Sequence, residues 1–182
     1  MLYLFLLAVH LIGAVGMFLS WGMEIVFLYH LRHADRPDDV RKHWPAFRRF
    51  GRIGMLSMIT AIAAGTYLMV TTWGPRPWIT FTFAALAILI TVGIGFGRRA
   101  HAGIQNALEG KHLMNDALQA ARRFAVASLQ IRLAIGLTII CVMAIKPDTF
   151  ITSILFLIGI LAGAALAYRT FRQAVHESFR MP

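Results

Sequence analysis

LYLFLLAVHLIGAVGMFLSWGMEIVFLY, residues 2–29, is an apolar run in which His10 and Glu24 are the only side chains able to carry charge near neutral pH. About 20 apolar residues suffice for a helix to cross the hydrocarbon core of a bilayer. The run therefore predicts a transmembrane helix over residues 2–30. An ionisable group near the middle of such a helix costs roughly 2.5–3.5 kcal/mol on insertion scales, and for that reason it faces protein or a cavity. The run is too long for the apolar segment of a secretory signal. It has no basic stretch before it and no small-residue cleavage site after it, so it is expected to stay in the mature chain.

Outward from this helix, the chain is 58% hydrophobic and 14% charged, unlike a soluble domain. Four more apolar segments, 51–73, 77–97, 128–146 and 149–168, predict an all-α, polytopic membrane protein of five spans forming one domain over residues 1–182. Between spans three and four, residues 98–127 are rich in Ala, Leu, Gln, Glu and Arg, which are strong helix formers. Both spans are expected to continue as helices beyond the membrane and to meet near Glu109-Gly110-Lys111-His112. Cys141 is the only cysteine, which excludes a disulfide or cysteine-based metal cluster within one chain.

The net charge of +10 raises nucleic acid as a partner, but its distribution points elsewhere. All of the 18 Lys and Arg residues except Arg76 and Lys146 fall within 32–52, 98–132 and 169–180. Basic residues are retained on the cytoplasmic side, which predicts an outer N-terminus and an inner C-terminus. No groove-reading motif accompanies the charge, so no nucleic-acid partner is expected; the lipid bilayer is. Asp35-Arg36-Pro37-Asp38-Asp39 ends the first helix. The basic and aromatic stretch from Val40 to Phe50 then predicts a connector at the inner interface. Gly74-Pro75-Arg76-Pro77 predicts a tight outer turn.

At about 100° per residue, His10, Gly13, Met17, Ser20, Trp21 and Glu24 share one stripe of the first helix. Gly13 and Ser20 leave room for a neighbouring helix or for a flat ligand. Small residues recur every four positions at Ser57, Ala61 and Gly65, and again at Gly159, Gly163 and Ala167. Such rows let backbones approach closely in lipid, within the chain or in a homo-oligomer. His10 is open to two readings: a metal ligand, for iron or copper, or a neutral imidazole hydrogen-bonded between helices. The other histidines, His30, His33, His43, His101, His112 and His176, lie at or beyond the inner boundary. A haem on His10 would thus need Met69, Met143, an open position or a second subunit opposite it. Matched depth pairs Glu24 with Arg132, or with the shallower Arg52, either as an ion pair fixing helix register or as a basic niche for a carboxylate. Met17, Met23, Met55 and Met58 read as a soft copper path or as core filling. No nucleophile–base pair, phosphate-cradling loop or zinc spacing is present.

Ala8-Val9-His10-Leu11-Ile12-Gly13 and Leu28-Tyr29-His30 resemble the opening helix of the HemJ-type protoporphyrinogen oxidases of bacterial membranes. That resemblance extends to Arg52 near the start of span two. It implies a protein of the bacterial cytoplasmic membrane handling haem b or porphyrin, with His10 as ligand. HemJ proteins begin their third helix Trp-Leu-His-x-Lys, where this chain has Trp78-Ile79-Thr80-Phe81-Thr82. Over its whole length, including Ser128-Leu129-Gln130-Ile131-Arg132 and Ile145-Lys146-Pro147-Asp148, the chain is similar to an integral-membrane family in the copper-resistance-protein-D-like group. Three functions follow as expectations: a haem- or porphyrin-handling redox protein, with His10, Met17, Glu24, Arg52 and Arg132 as cofactor-binding residues; a non-catalytic accessory or assembly subunit of a larger membrane complex; and a copper-handling protein. For the topology, a cysteine placed at position 75 in a Cys141→Ser background should react with an impermeant thiol reagent from outside the cell. Labelling of that position only after permeabilisation would reverse the orientation.

Overall fold

The computed structural model describes residues 1–33, 37–109 and 114–178. Five long helices carry nearly all of them: α1 (Leu2–Arg32), α2 (Pro37–Leu68), α3 (Pro77–Glu109), α4 (Met114–Ile145) and α5 (Thr149–Ser178). A short π-helical segment, Met69–Trp73, continues α2. No strand occurs among the described residues. Each of the five is long and apolar enough to span a membrane, so the chain is an all-α, multi-pass membrane protein. A helix of 31 residues, such as α1, is about 46 Å long, against a hydrocarbon core of about 30 Å. Several helices must therefore extend past the apolar layer. α3 and α4 do continue through the segment expected to be helical; Gly110, Lys111 and His112, where they were expected to meet, lie outside the described residues.

The second helix differs from its sequence reading. The stretch 40–50, expected as a connector, is the first part of α2, which runs on through Pro45. Proline costs a helix one backbone hydrogen bond, and here tertiary packing offsets that loss. Phe27 of α1 stacks on Phe47, with ring centroids 4.2 Å apart, and meets Trp44 at 6.0 Å. Val40 and Trp44 are buried. At its other end α2 closes through the Gly74 N–H donating to the Met69 carbonyl at 2.8 Å. Gly74 has φ +68°, a conformation that favours glycine, and Pro77 then opens α3, where a missing N–H costs nothing. Between α4 and α5, Lys146 takes φ +50° before Pro147, and the Asp148 carboxylate caps α5 by accepting the Ile151 N–H at 2.8 Å.

The helices fall into two compact units, Met1–Arg76 and Pro77–Pro182. In the first, α1 and α2 are antiparallel: His10 meets Ala61, Ser20 meets Phe50, and His30 meets His43. Their seam is made of small residues. A Cβ on Gly13 would lie 2.7 Å from the Ser57 carbonyl oxygen and 2.8 Å from the Ala61 nitrogen, and one on Gly16 would press on the Ser57 side chain. The Ser57, Ala61 and Gly65 row is thus used within the chain. In the second unit α4 and α5 repeat the device. Gly159 receives Thr138, and Gly163 lies against Ile131 and Ala134, with 3.2 Å from a Gly163 Cβ to the Ile131 Cα. Ala167 is buried, and Thr170 donates to Gln130 Oε1 at 3.0 Å. α3 joins α4 through Phe96 and Phe124, and α5 through Phe81 and Phe156. Leu11, Ile12, Leu19, Leu157, Ile158 and Leu161 are exposed, as lipid-facing residues should be.

The seam makes a testable contrast. Gly13→Ala puts a methyl against backbone atoms that cannot rotate away, and overpacking of this kind costs about 1–3 kcal/mol. Gly22, on the same helix, has nothing within 4 Å of an added Cβ. Thermal unfolding in detergent should show a lowered midpoint for Gly13→Ala and an unchanged or raised one for Gly22→Ala.

Candidate functional site

The polar stripe of α1 lies on the α2 seam. Gly13, Met17, Ser20 and Trp21 are buried, while His10 and Glu24 are half-buried. The room left by Gly13 and Ser20 is taken by α2, which settles one of the two readings of those small residues: the close neighbour is a helix. Ser20 Oγ donates to the Phe50 carbonyl at 2.8 Å, and Gly54 forms the floor beneath it, since a Cβ there would collide with the serine side chain. An unpaired hydroxyl would be costly in this setting, and the helix carbonyl satisfies it.

His10 is held in the same way. Its Nδ1 lies 2.7 Å from the Ala61 carbonyl oxygen. A carbonyl only accepts, so Nδ1 carries the hydrogen, and in the neutral ring the lone pair is then at Nε2. Nε2 has no hydrogen-bond partner among the described residues. The ring rests against Gly65, where an added Cβ would come within 2.9 Å of Nδ1 and 3.0 Å of Cε1. An imidazole anchored through Nδ1–H to a carbonyl, with Nε2 available, is the arrangement by which proteins orient metal-ligating histidines. Among the described residues no group of three or more His, Cys, Asp and Glu side chains is placed to hold a metal ion.

The remaining candidates sit elsewhere. Glu24 follows His10 by 14 positions on one continuous helix, an axial separation of about 21 Å. That exceeds the reach of a porphyrin and its propionates, so these two residues define separate stations. Arg52 is exposed and lies level with Ser20, between Phe50 and Gly54, about one turn nearer the α1 N-terminus than Glu24. Arg132 belongs to the second unit. Its Nε donates to the Ser128 carbonyl at 3.3 Å and to Ser128 Oγ at 3.2 Å, and Gly93 accommodates its aliphatic stem. Met17 is buried and Met58 half-buried, whereas Met23 and Met55 are exposed, so the four methionines do not share one buried face. Met69 is half-buried one turn beyond Gly65, at the start of the π-helical segment.

Sequence reasoning placed His30, His33 and His43 at the inner boundary and did not join them. The antiparallel register brings them to one end of the α1–α2 unit. The signal was present in their distances from the helix ends, and it needed the α1–α2 register to be read.

These features define a multi-pass, all-α membrane protein with an anchored imidazole at a helix–helix seam. No protein-family model, curated protein or solved structure matches the chain. The seam itself gives a prediction. Gly65→Ala should displace the His10 ring and lower stability by about 1–3 kcal/mol. In a His10→Ala background the same substitution should cost far less, and purely additive losses in the double variant would separate the two residues.

Proposed function

We propose that this chain is a membrane redox protein that handles a haem or porphyrin, with His10 as its single imidazole ligand from the α1–α2 unit. The observation that carries the reading is the anchored ring: Nδ1–H on the Ala61 carbonyl at 2.7 Å, with Nε2 left without a protein partner among the described residues. The HemJ-like segment Ala8–Gly13, which contains this histidine, supports the same reading. The donor chemistry fits haem b, which helical proteins hold through neutral histidine. When bound, such a group supplies one-electron chemistry. The chain's own residues do the rest. The Ala61 carbonyl fixes the tautomer and raises the basicity of the ring, Gly65 lets the ring lie against α2, and Met69 of the same unit would be a further residue to hold the group. Glu24, with Arg52 of the same unit as candidate partner, forms a second polar station on the cytoplasmic half, suited to binding a carboxylate or handling a proton. The proposed setting is the bacterial cytoplasmic membrane, with the N-terminus outside.

A second reading has its own support. Gly13 and Ser20 are consumed by helix packing, and the His10 hydrogen bond also serves as a lock between helices. An accessory or assembly subunit would use the stripe in this way alone. The absorption spectrum of the detergent-purified protein separates the two. A Soret band, with about one iron per chain, that disappears in His10→Ala and persists in His101→Ala is the expected result. A colourless, iron-free protein that co-purifies with stoichiometric partner chains would replace it with the subunit reading.

A further inference from the structure

A second histidine cluster lies at the other end of the α1–α2 unit, 20 residues along α1 from His10, an axial distance of about 30 Å. His30 is on the last turn of α1, His33 is its C-cap residue, and His43 is near the start of α2. The His30 and His43 rings face each other across the two helices with centroids 4.7 Å apart, tilted by 40°. His30 and His33 are each held through Nδ1 by a carbonyl four residues back on the same helix. His30 Nδ1 lies 2.8 Å from the Val26 carbonyl and His33 Nδ1 2.9 Å from the Tyr29 carbonyl. Both must donate from Nδ1, which in the neutral ring leaves the lone pair at Nε2. The rings border a cavity of about 230 Å³, shared with Asp39 and floored by Phe27 and Val40. A water molecule occupies about 30 Å³ in the liquid, so an ion with several of its own waters has room there.

We propose that His30 and His43 form a two-imidazole clip for a divalent late transition-metal ion, independent of the haem site. Imidazole nitrogen suits copper, nickel and zinc, and among divalent ions of the first row copper binds such donors most tightly. No three side chains converge at the required geometry among the described residues, so water completes the coordination. Asp39 contributes negative charge to the cavity, and His33 lines it as a further imidazole. Because the two ligands come from different helices, the ion ties the end of α1 to the start of α2. Binding to the folded arrangement alone also stabilises it in proportion to ion concentration.

The test uses the full chain in detergent, free of any affinity tag, with Cys141→Ser to remove the exposed thiol. Cu²⁺ is titrated and followed by electron paramagnetic resonance. One Cu²⁺ per chain with splitting from two nitrogens is expected. His30→Gln and His43→Gln should each weaken binding by at least about ten-fold and reduce the pattern to one nitrogen, with helicity by circular dichroism unchanged. His10→Gln should leave the copper signal intact. Undiminished binding in the His30→Gln/His43→Gln double variant, or loss of binding in His10→Gln, would overturn the clip. A missing Soret band bears on the haem reading alone, and the copper signal bears on the clip alone.

Discussion

The near-contact of two backbones, α1 at Gly13 and α2 at Ser57 and Ala61, is the constraint on which the first unit rests. In lipid, apolar side chains gain nothing by leaving their surroundings for one another, so helices associate through close packing and interhelical hydrogen bonds. Glycine at position 13 brings the Ser57 carbonyl and the Ala61 nitrogen within reach of where a methyl would be. Everything else along the seam follows from that spacing. Only at that separation does the short Ser20 side chain reach the Phe50 carbonyl, and only there does the His10 ring reach Ala61.

Both seam polar groups choose a backbone carbonyl that already belongs to a helix ladder. A carbonyl oxygen has two lone pairs, so it accepts the extra bond while keeping its place in α2. The arrangement satisfies a buried hydroxyl and an imidazole without a second buried side chain, which would need a partner of its own. Arg132 in the second unit uses the Ser128 carbonyl and hydroxyl one turn before it on its own helix. Thr82, Thr91 and Thr138 return their hydroxyls to carbonyls four residues back. Polar residues are thereby admitted to apolar helices at low cost.

Much of this fold is legible in the chain because a bilayer imposes a length and a composition on each span. Residues 2–30 and 149–168 declare themselves by hydropathy alone, and the small-residue rows at 57–65 and 159–167 mark the faces that pack. What hydropathy could not give was the true start of α2. Residues 40–50 are polar enough to look like a connector, and Pro45 argues against a helix; the ring stack of Phe27 on Phe47 and Trp44 decides otherwise, and it is a long-range contact. The site was legible to the same degree. The α1 stripe announced His10, Ser20 and Glu24 together, but which carbonyl each of the first two meets depends on the α1–α2 register. Spacing on a single helix already separated His10 from Glu24. The grouping of His30 with His43 was hidden because it arises only when the chain doubles back.

The boundary between the two units falls at Arg76, and it has a meaning for biogenesis. Every contact described for α1 and α2 is complete once residue 76 has left the ribosome, before α3 enters the membrane. The first two spans can therefore partition into lipid as a paired hairpin, shielding the imidazole and the serine hydroxyl from the acyl chains during synthesis. A helix carrying His10 and Glu24 would be a poor passenger alone. Delivered with its partner, it presents a largely apolar surface to the membrane, and the order of the chain supplies that partner next.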